Sequence, residues 1–206
     1  MDLKSFKRLP ILGILRGVDK DVIDSLTEAM VSPGLKTVEI TMNTKDAPDC
    51  IKSMVKAAKG RLTIGAGTVL TVDAMQEALD AGATFIVMPT LVPEVMEYCA
   101  KKSIPAFPGA LTPQEIYNAW RAGAAMVKVF PSKFFGPSYI KEIKGPFQDI
   151  ELLACGGVTP DNIKDHFSSG ASAVAFGGSI FKKEWLDLGK FGNIEKSIRT
   201  LLTNYL

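Results

Sequence analysis

Short apolar runs alternate with longer amphipathic segments along the whole chain. Eight of the runs have the length and composition of strands, and they cover residues 10–15, 36–41, 62–66, 84–88, 104–107, 125–130, 151–155 and 173–177. The seven intervals between them have helical patterning, and a last helix over 192–204 completes eight strand–helix pairs. This alternation is typical of βα units that form a parallel sheet. We therefore predict an α/β fold, a (β/α)8 TIM barrel, with a doubly wound open sheet as the alternative.

The chain is most simply one domain. Its 206 residues are 47% hydrophobic and 22% charged, which is enough to bury one sizeable core. Helix starts are marked by capping signals such as Thr112-Pro113-Gln114-Glu115. Because no low-complexity linker interrupts the pattern, we predict a single barrel domain over residues 1–206.

Composition and charge limit the partners that we expect. The formal net charge of +2 is small and the basic residues are dispersed, so neither nucleic acid nor an anionic membrane is expected as a partner. No signal-peptide pattern and no apolar run of membrane-spanning length is present, which predicts a cytoplasmic protein. Three cysteines without metal-type spacing fit a reducing compartment.

Metal chemistry is restricted by the presence of a single histidine, His166. One histidine excludes a His-rich zinc or iron centre, although an all-carboxylate magnesium site stays open. His166 lies within the helix after strand seven, where we expect a partly exposed residue rather than a catalyst. We predict carbonyl chemistry that needs no metal and no cofactor.

Lys128 lies in the middle of an otherwise apolar run, Ala-Ala-Met-Val-Lys-Val-Phe-Pro. Strand alternation points Met126, Lys128 and Phe130 to one side, so the amine projects from a water-poor surface. Desolvation favours the neutral amine, which is the form that attacks a carbonyl to make a Schiff base. The alternative is a lysine that reaches solvent at a strand end or pairs with a carboxylate.

Glu39 lies in the second strand, Lys36-Thr-Val-Glu-Ile-Thr41, and shares one face with Thr37 and Thr41. This face is the inside of a barrel, and catalytic groups of barrel enzymes lie at the carboxyl ends of the strands. Glu39 is therefore either the ion-pair partner of Lys128 or a proton shuttle whose pKa is raised by desolvation.

Two further residues are predicted at the rim. Arg16 ends the first strand, where a guanidinium suits bidentate capture of a carboxylate or phosphate, although a surface arginine is the usual explanation elsewhere. Thr68 follows Gly65-Ala66-Gly67 and offers a hydroxyl and backbone donors to an anion. The alternative is that Thr68 or Thr71 only caps the next helix.

Glycines follow the last two strands. Gly156-Gly157 comes after strand seven and Gly177-Gly178-Ser179 after strand eight, where barrel enzymes frequently bind phosphate through backbone amides and a helix N-terminus. Tight packing at barrel turns is the other explanation. We also expect Pro89, which ends strand four, to shape the cavity, and Cys155, which ends strand seven, to line the site unless it only packs as a small apolar residue.

These residues resemble the lysine-dependent 2-keto-3-deoxy-6-phosphogluconate (KDPG) and 4-hydroxy-2-oxoglutarate (KHG) aldolases over nearly the whole chain. The matching motifs, in family order, are Ile14-Leu15-Arg16-Gly17, Val38-Glu39-Ile40-Thr41, Gly65-Ala66-Gly67-Thr68-Val69, Lys128-Val129-Phe130-Pro131, Gly156-Gly157-Val158-Thr159-Pro160 and Gly177-Gly178-Ser179. The resemblance implies a homotrimeric barrel aldolase without a metal. In it, Lys128 forms the Schiff base, Glu39 relays protons and Thr68 contacts the carboxylate of pyruvate.

The implied reaction is the cleavage of KDPG, and of KHG as a second substrate, to pyruvate and an aldehyde. Two departures from the family pattern concern the substrate. Asn43 stands where some members have an arginine, and the resemblance to members with an arginine at the end of strand one implies that Arg16 makes the carboxylate contact instead. Cys155 stands where a threonine is frequent. Both features, together with the stretch Phe135-Gly136-Pro137-x-Tyr139-Ile140-Lys141, also resemble the related 2-keto-3-deoxy-6-phosphogalactonate (KDPGal) aldolases, which leaves the preference between C4 epimers open.

Two other classes of function stay open on the residues alone. A phosphosugar epimerase or a phosphate-recognising transferase of the same barrel shape would use the glycines after strands seven and eight without covalent chemistry. A non-catalytic barrel that only binds a metabolite would keep Lys128 and Glu39 as a structural ion pair, because a fold does not determine a function.

Overall fold

The computed structural model describes all 206 residues of the chain. Nine strand segments, all parallel to their neighbours, form one sheet in the order β5-β4-β3-β2-β1-β9-β8-β7-β6. The strands are β1 Ile11–Leu15, β2 Thr37–Thr41, β3 Thr63–Gly67, β4 Ile86–Val87, β5 Ala106–Phe107, β6 Gly109–Ala110, β7 Val127–Val129, β8 Leu152–Cys155 and β9 Ala173–Phe176.

The sheet closes through the stretch that contains β5 and β6. These two segments are separated only by Pro108; β5 pairs with β4 on one side, and β6 pairs with β7 on the other. The backbone amide of Lys128 donates to the Pro108 carbonyl at 2.9 Å, so this stretch acts as one interrupted strand. The barrel therefore has eight strand positions, which confirms the predicted (β/α)8 fold and contradicts the open doubly wound sheet.

Ten helices surround the sheet. They are α1 Leu3–Arg8, α2 Ile23–Val31, α3 Ala47–Ala58, α4 Val72–Asp80, α5 Pro93–Lys101, α6 Pro113–Arg121, α7 Gly136–Lys144, α8 Ile163–Ser168, α9 Lys183–Asp187 and α10 Phe191–Tyr205. The predicted capping box is present, because Thr112 and Glu115 cap α6 reciprocally. The short helices α1 and α9 were not predicted from the sequence. None of the ten helices combines the length and the apolar character needed to cross a membrane.

The amino-terminal end of the barrel is filled by aromatic side chains. Phe6 of α1 packs edge-on against Phe107 inside the barrel, at a centroid distance of 5.9 Å, and Phe107 packs in the same way on Phe85 at 5.8 Å. These rings belong to an inner cluster that is separate from the larger core of 50 residues between the sheet and the helices. Because α1 and the rings close this end, the open end of the barrel is the carboxyl end of the strands.

Candidate active site

Strands β2 and β7 bring Glu39 and Lys128 into the barrel. Both side chains are buried: Glu39 is 0% exposed and Lys128 is 6% exposed. Neither residue takes part in any of the seven ion pairs of the chain, all of which involve solvent-accessible side chains. The structure therefore contradicts the alternative in which Lys128 and Glu39 form a structural ion pair.

The Glu39 carboxyl group occupies space that a glycine leaves free. A Cβ atom on Gly67 of the neighbouring strand β3 would lie 2.2 Å from Glu39 Oε1, which is far inside van der Waals contact. Both carboxyl oxygens are buried and have no hydrogen-bond partner in the protein. Buried polar atoms are nearly always hydrogen-bonded, so two unpartnered oxygens on one side chain indicate a group kept for chemistry rather than for stability.

Burial raises the pKa of the Glu39 carboxyl above its ordinary value, while the nearby charges of Lys128 and Arg16 oppose this rise more weakly. The cause is desolvation, which penalises the carboxylate relative to the neutral acid. A raised pKa brings a carboxyl group closer to neutral pH, where it can both accept and donate a proton.

Lys128 lies between an aromatic ring and a thiol. Its Nζ atom is 5.3 Å from the centroid of the Phe130 ring, a cation–π distance. Cys155 ends β8 and is 3% exposed. Burial raises the pKa of its thiol. The charge of Lys128 opposes this rise, because the Lys128 side chain lies next to the thiol. Cys155 is therefore a neutral thiol beside the amine.

Arg16 and Thr68 meet at the rim of the barrel. The Arg16 Nη2 atom donates to the Thr68 hydroxyl at 3.3 Å. Thr68 has a φ of +55°, a left-handed conformation that is uncommon for a residue other than glycine. The cap of α4 is Thr71, whose side chain accepts from the Ala74 amide, so Thr68 does not cap this helix.

A cavity of about 770 Å³ opens beside this cluster. Six of the predicted site residues line it, namely Arg16, Cys155, Gly156, Gly157, Gly178 and Ser179. Four do not line it: Lys128, Glu39, Thr68 and Pro89. Phe130 does line the cavity, which places the aromatic neighbour of Lys128 on its wall.

Pro89 contributes to the shape of the barrel rather than to this cavity wall. A Cβ atom added to Gly109 would lie only 2.1 Å from the carbonyl oxygen of Pro89. Only a glycine at position 109 lets the chain after β4 come so close to β6.

Side chains from other parts of the chain form hydrogen bonds with the carbonyl oxygens of the loop after β8. The Ser132 hydroxyl lies 3.0 Å from the Cys155 carbonyl and 2.9 Å from the Gly156 carbonyl. The Asn162 amide donates to the Gly157 carbonyl at 2.9 Å. The amides of Gly156 and Gly157 donate to no acceptor in the protein. Successive free amides of this kind form a concave site for an anion.

The Ser179 hydroxyl also holds this loop, because it donates to the Val158 carbonyl at 2.6 Å. Its proton is therefore engaged within the protein. The predicted contribution of Ser179 to a bound anion is therefore limited to its backbone amide, because the remaining lone pairs of the hydroxyl can only accept hydrogen bonds.

Several cavity residues were missed by the sequence reasoning. Ser132, Lys133 and Asn162 line the cavity, but a serine or lysine in a short 3-10 turn such as Ser132–Phe134 carries no distinctive sequence signal. The prediction that His166 is partly exposed was wrong. His166 is 2% exposed, lines the same cavity and has an unpartnered Nδ1 atom. Burial lowers the pKa of its imidazole. Its burial depends on the helices around α8, which the pattern of α8 alone does not reveal.

Comparison with known proteins shows where the chain belongs. A 2-dehydro-3-deoxy-6-phosphogalactonate aldolase of Escherichia coli (strain K12) is 34% identical over 176 residues, covering 85% of this chain and 86% of that protein. A 2-dehydro-3-deoxy-phosphogluconate aldolase of Haemophilus influenzae is 30% identical over 202 residues, covering 97% of this chain and 94% of that protein. A solved native KDPGal structure superposes with a TM-score of 0.89 at 30% identity, covering 96% and 95% of the two chains.

The family model described as KDPG and KHG aldolase matches residues 3–197. This match confirms the resemblance seen in the motifs and the expected class of enzyme, a carbon–carbon lyase. The chain belongs to the KDPG and KHG aldolase family.

Proposed function

We propose that the chain is a Schiff-base aldolase that cleaves a 2-keto-3-deoxy-6-phospho sugar acid to pyruvate and glyceraldehyde 3-phosphate. The observation that carries the proposal is that two buried ionisable groups, Lys128 and Glu39, lie inside the open end of the barrel and form no ion pair. A fold that keeps an amine and a carboxyl group out of water without pairing them loses stability, and such groups are typical of functional sites.

Lys128 is the proposed nucleophile. Its amine adds to the C2 carbonyl of the substrate, and loss of water gives an imine that, once protonated, withdraws electrons from the C3–C4 bond. Cleavage of this bond leaves an enamine on Lys128 and releases the aldehyde. Protonation of the enamine at C3 and hydrolysis of the imine then release pyruvate and restore the amine.

Glu39 is the proposed proton shuttle. It takes the proton of the C4 hydroxyl, directly or through a water molecule, while the C3–C4 bond breaks. Its raised pKa supports this role, because a carboxyl group near neutrality can return the proton in the reverse reaction. Its free oxygens support it as well, since no hydrogen bond within the protein has to break first.

Arg16 and Thr68 are proposed to bind the carboxylate at C1. A guanidinium and a hydroxyl that already lie 3.3 Å apart present several donors to one carboxylate. We assign the phosphate end of the substrate to the glycines at 156, 157 and 178 together with Ser179, because the free amides of the Gly156-Gly157 loop face no acceptor of the protein.

The substrate is proposed to be KDPG, with KHG as a smaller alternative that lacks the phosphate. KDPGal, the C4 epimer, is a second candidate, and two observations support it. A relative with that substrate in its name is 34% identical, against 30% for a phosphogluconate relative, and Cys155, which is part of the resemblance to the KDPGal aldolases, lines the cavity. A coupled assay of pyruvate release with both epimers side by side decides between them.

Borohydride trapping tests the covalent mechanism. Pyruvate with borohydride is expected to inactivate the enzyme and to add mass to the peptide that contains Lys128, because reduction makes a stable secondary amine. Lys128→Ala should abolish both trapping and turnover. Lys101→Ala is the matched control, because Lys101 is exposed and pairs with Glu97 on the outer surface.

Trapping at another lysine would refute the assignment of Lys128. A protein that converts a phosphosugar but is not labelled by pyruvate and borohydride would favour the non-covalent epimerase or transferase. A protein that binds pyruvate but turns over no keto acid would be a non-catalytic binder.

We also propose that the chain works as a single aldolase domain, as a homotrimer and in the cytoplasm. Phe134 is 78% exposed and Phe135 is 51% exposed, and two neighbouring exposed rings support a surface that another subunit covers. Light scattering coupled to size-exclusion chromatography measures the oligomeric mass. A monomer at micromolar concentration would contradict the trimer.

A further inference from the structure

We infer that Ser132 is a positioning residue that aims the amides of Gly156 and Gly157 at the phosphate group of the substrate. The inference rests on the proposed function, because it assumes that these amides bind the phosphate. Ser132 is 0% exposed, and its one hydroxyl group lies within hydrogen-bond distance of two successive carbonyl oxygens, those of Cys155 and Gly156.

Peptide geometry connects the hydroxyl to the amides. In a trans peptide the C=O bond of one residue and the N–H bond of the next point in opposite directions. The Cys155 carbonyl shares a peptide unit with the Gly156 amide, and the Gly156 carbonyl shares one with the Gly157 amide. Because both carbonyls turn toward Ser132 Oγ, both amides turn away from it, side by side, and neither finds an acceptor in the protein.

The two glycines need such a restraint. Gly156 and Gly157 have φ values of +106° and +77°, and glycine reaches many other conformations at little cost. A Cβ atom on Gly157 would lie 3.1 Å from the Lys133 side chain, so the loop packs tightly against the residue that follows Ser132. The hydroxyl therefore selects, among the conformations open to two glycines, the one that presents two free donors on the side away from Ser132.

Ser132→Ala removes the hydroxyl and leaves the strands unchanged. Two readouts are expected to change by about tenfold, which corresponds to about 1.4 kcal/mol. Binding of inorganic phosphate, measured by calorimetry, should weaken by this factor. The ratio of kcat/KM for the phosphorylated substrate to kcat/KM for KHG should fall by the same factor, because only the former carries a phosphate. Trapping of pyruvate at Lys128 should continue.

Thr27→Val is the matched control. Thr27 is also 0% exposed, and its hydroxyl donates to one carbonyl, that of Ile23, at 2.7 Å within α2 on the outside of the barrel. It should lower the melting temperature without changing the ratio between the two substrates. If Ser132→Ala does not fold, Ser132→Cys, which keeps a weaker donor of similar size, is expected to change the ratio in the same direction.

An equal loss for both substrates in Ser132→Ala would show a general structural role and overturn the inference. Unchanged phosphate binding would overturn it too. The proposed function is tested by a different measurement. A wild-type enzyme that is not labelled by pyruvate and borohydride would refute the Schiff base. The calorimetry with inorganic phosphate would still test the role of Ser132.

Discussion

The space that Gly67 leaves for Glu39 gives the sharpest prediction about catalysis. In Gly67→Ala, the new Cβ atom would lie 2.2 Å from Glu39 Oε1 and 2.6 Å from its Cδ atom. Ordinary contact begins near 3.4 Å, so the carboxyl group has to move by roughly 1.2 Å, the difference between 3.4 and 2.2 Å. Gly67 does not have a positive φ, so the substitution adds a clash without adding backbone strain.

Two effects follow from this displacement. Overpacking the inside of the barrel should destabilise the protein by about 1–3 kcal/mol. Displacement of Glu39, the proposed proton shuttle, by about 1 Å should lower kcat by about 10²-fold, because general acid–base catalysis depends on the position of the group. In the proposed mechanism Lys128 forms the imine, so trapping of pyruvate by borohydride should persist.

Gly65→Ala is the control within the same strand. Its Cβ atom would lie 2.4 Å from the Phe85 ring, and its three nearest neighbours all belong to that ring rather than to Glu39. Steady-state kinetics and thermal unfolding of both variants, at a temperature where both are folded, separate the two effects. If Gly67→Ala lowers kcat no more than Gly65→Ala does, the position of the Glu39 carboxyl is not what limits the reaction.

Three further predictions concern Glu39 and Cys155. Glu39→Gln should bind pyruvate and lose kcat by roughly 10²–10⁴-fold, since it keeps the shape and removes the basic form; a raised KM at normal kcat would make Glu39 a binding residue. Because the folded state raises the pKa of Glu39, it binds this proton more tightly than the unfolded state, and stability should fall as pH rises from the ordinary range of a glutamate to the raised pKa. Urea titrations of the wild type and Glu39→Gln should therefore diverge over this window in favour of Gln, and parallel curves would contradict the raised pKa. Cys155→Thr should shift kcat/KM toward the gluconate-derived epimer by about 1 kcal/mol if one hydrogen bond is gained, and an unchanged epimer ratio would show that residue 155 does not contact C4.

Much of the fold could be predicted because each strand is a local pattern. Apart from the short β6, every observed strand overlaps a predicted run, and the last helix, Phe191–Tyr205, nearly matches the predicted 192–204. Alternation within a strand is also local, which is why the sequence alone is enough to assign Glu39 and Lys128 to the inside of the barrel.

Features that depend on contacts between distant parts of the chain could not be predicted. Ser132 and the carbonyl of Cys155 are 23 residues apart, and nothing in the sequence around either one indicates that they meet. The helix α1 is only six residues long, so its pattern is too short to show that Phe6 closes one end of the barrel. His166 was misjudged for the same reason, because neighbouring helices decide which face of α8 is buried.

The inside of the barrel is divided between packing and chemistry along its axis. At the amino-terminal end, the rings of Phe6, Phe85 and Phe107 fill the space and stabilise the fold. Toward the carboxyl end, Gly67 leaves room on the inner face, and the Glu39 carboxyl group occupies it. A larger side chain at position 67 would fill this volume and displace the carboxyl group, because protein interiors are close-packed. Glu39 and Lys128 therefore lie at the boundary between the packed rings, which exclude water from one end of the barrel, and the open carboxyl end of the strands.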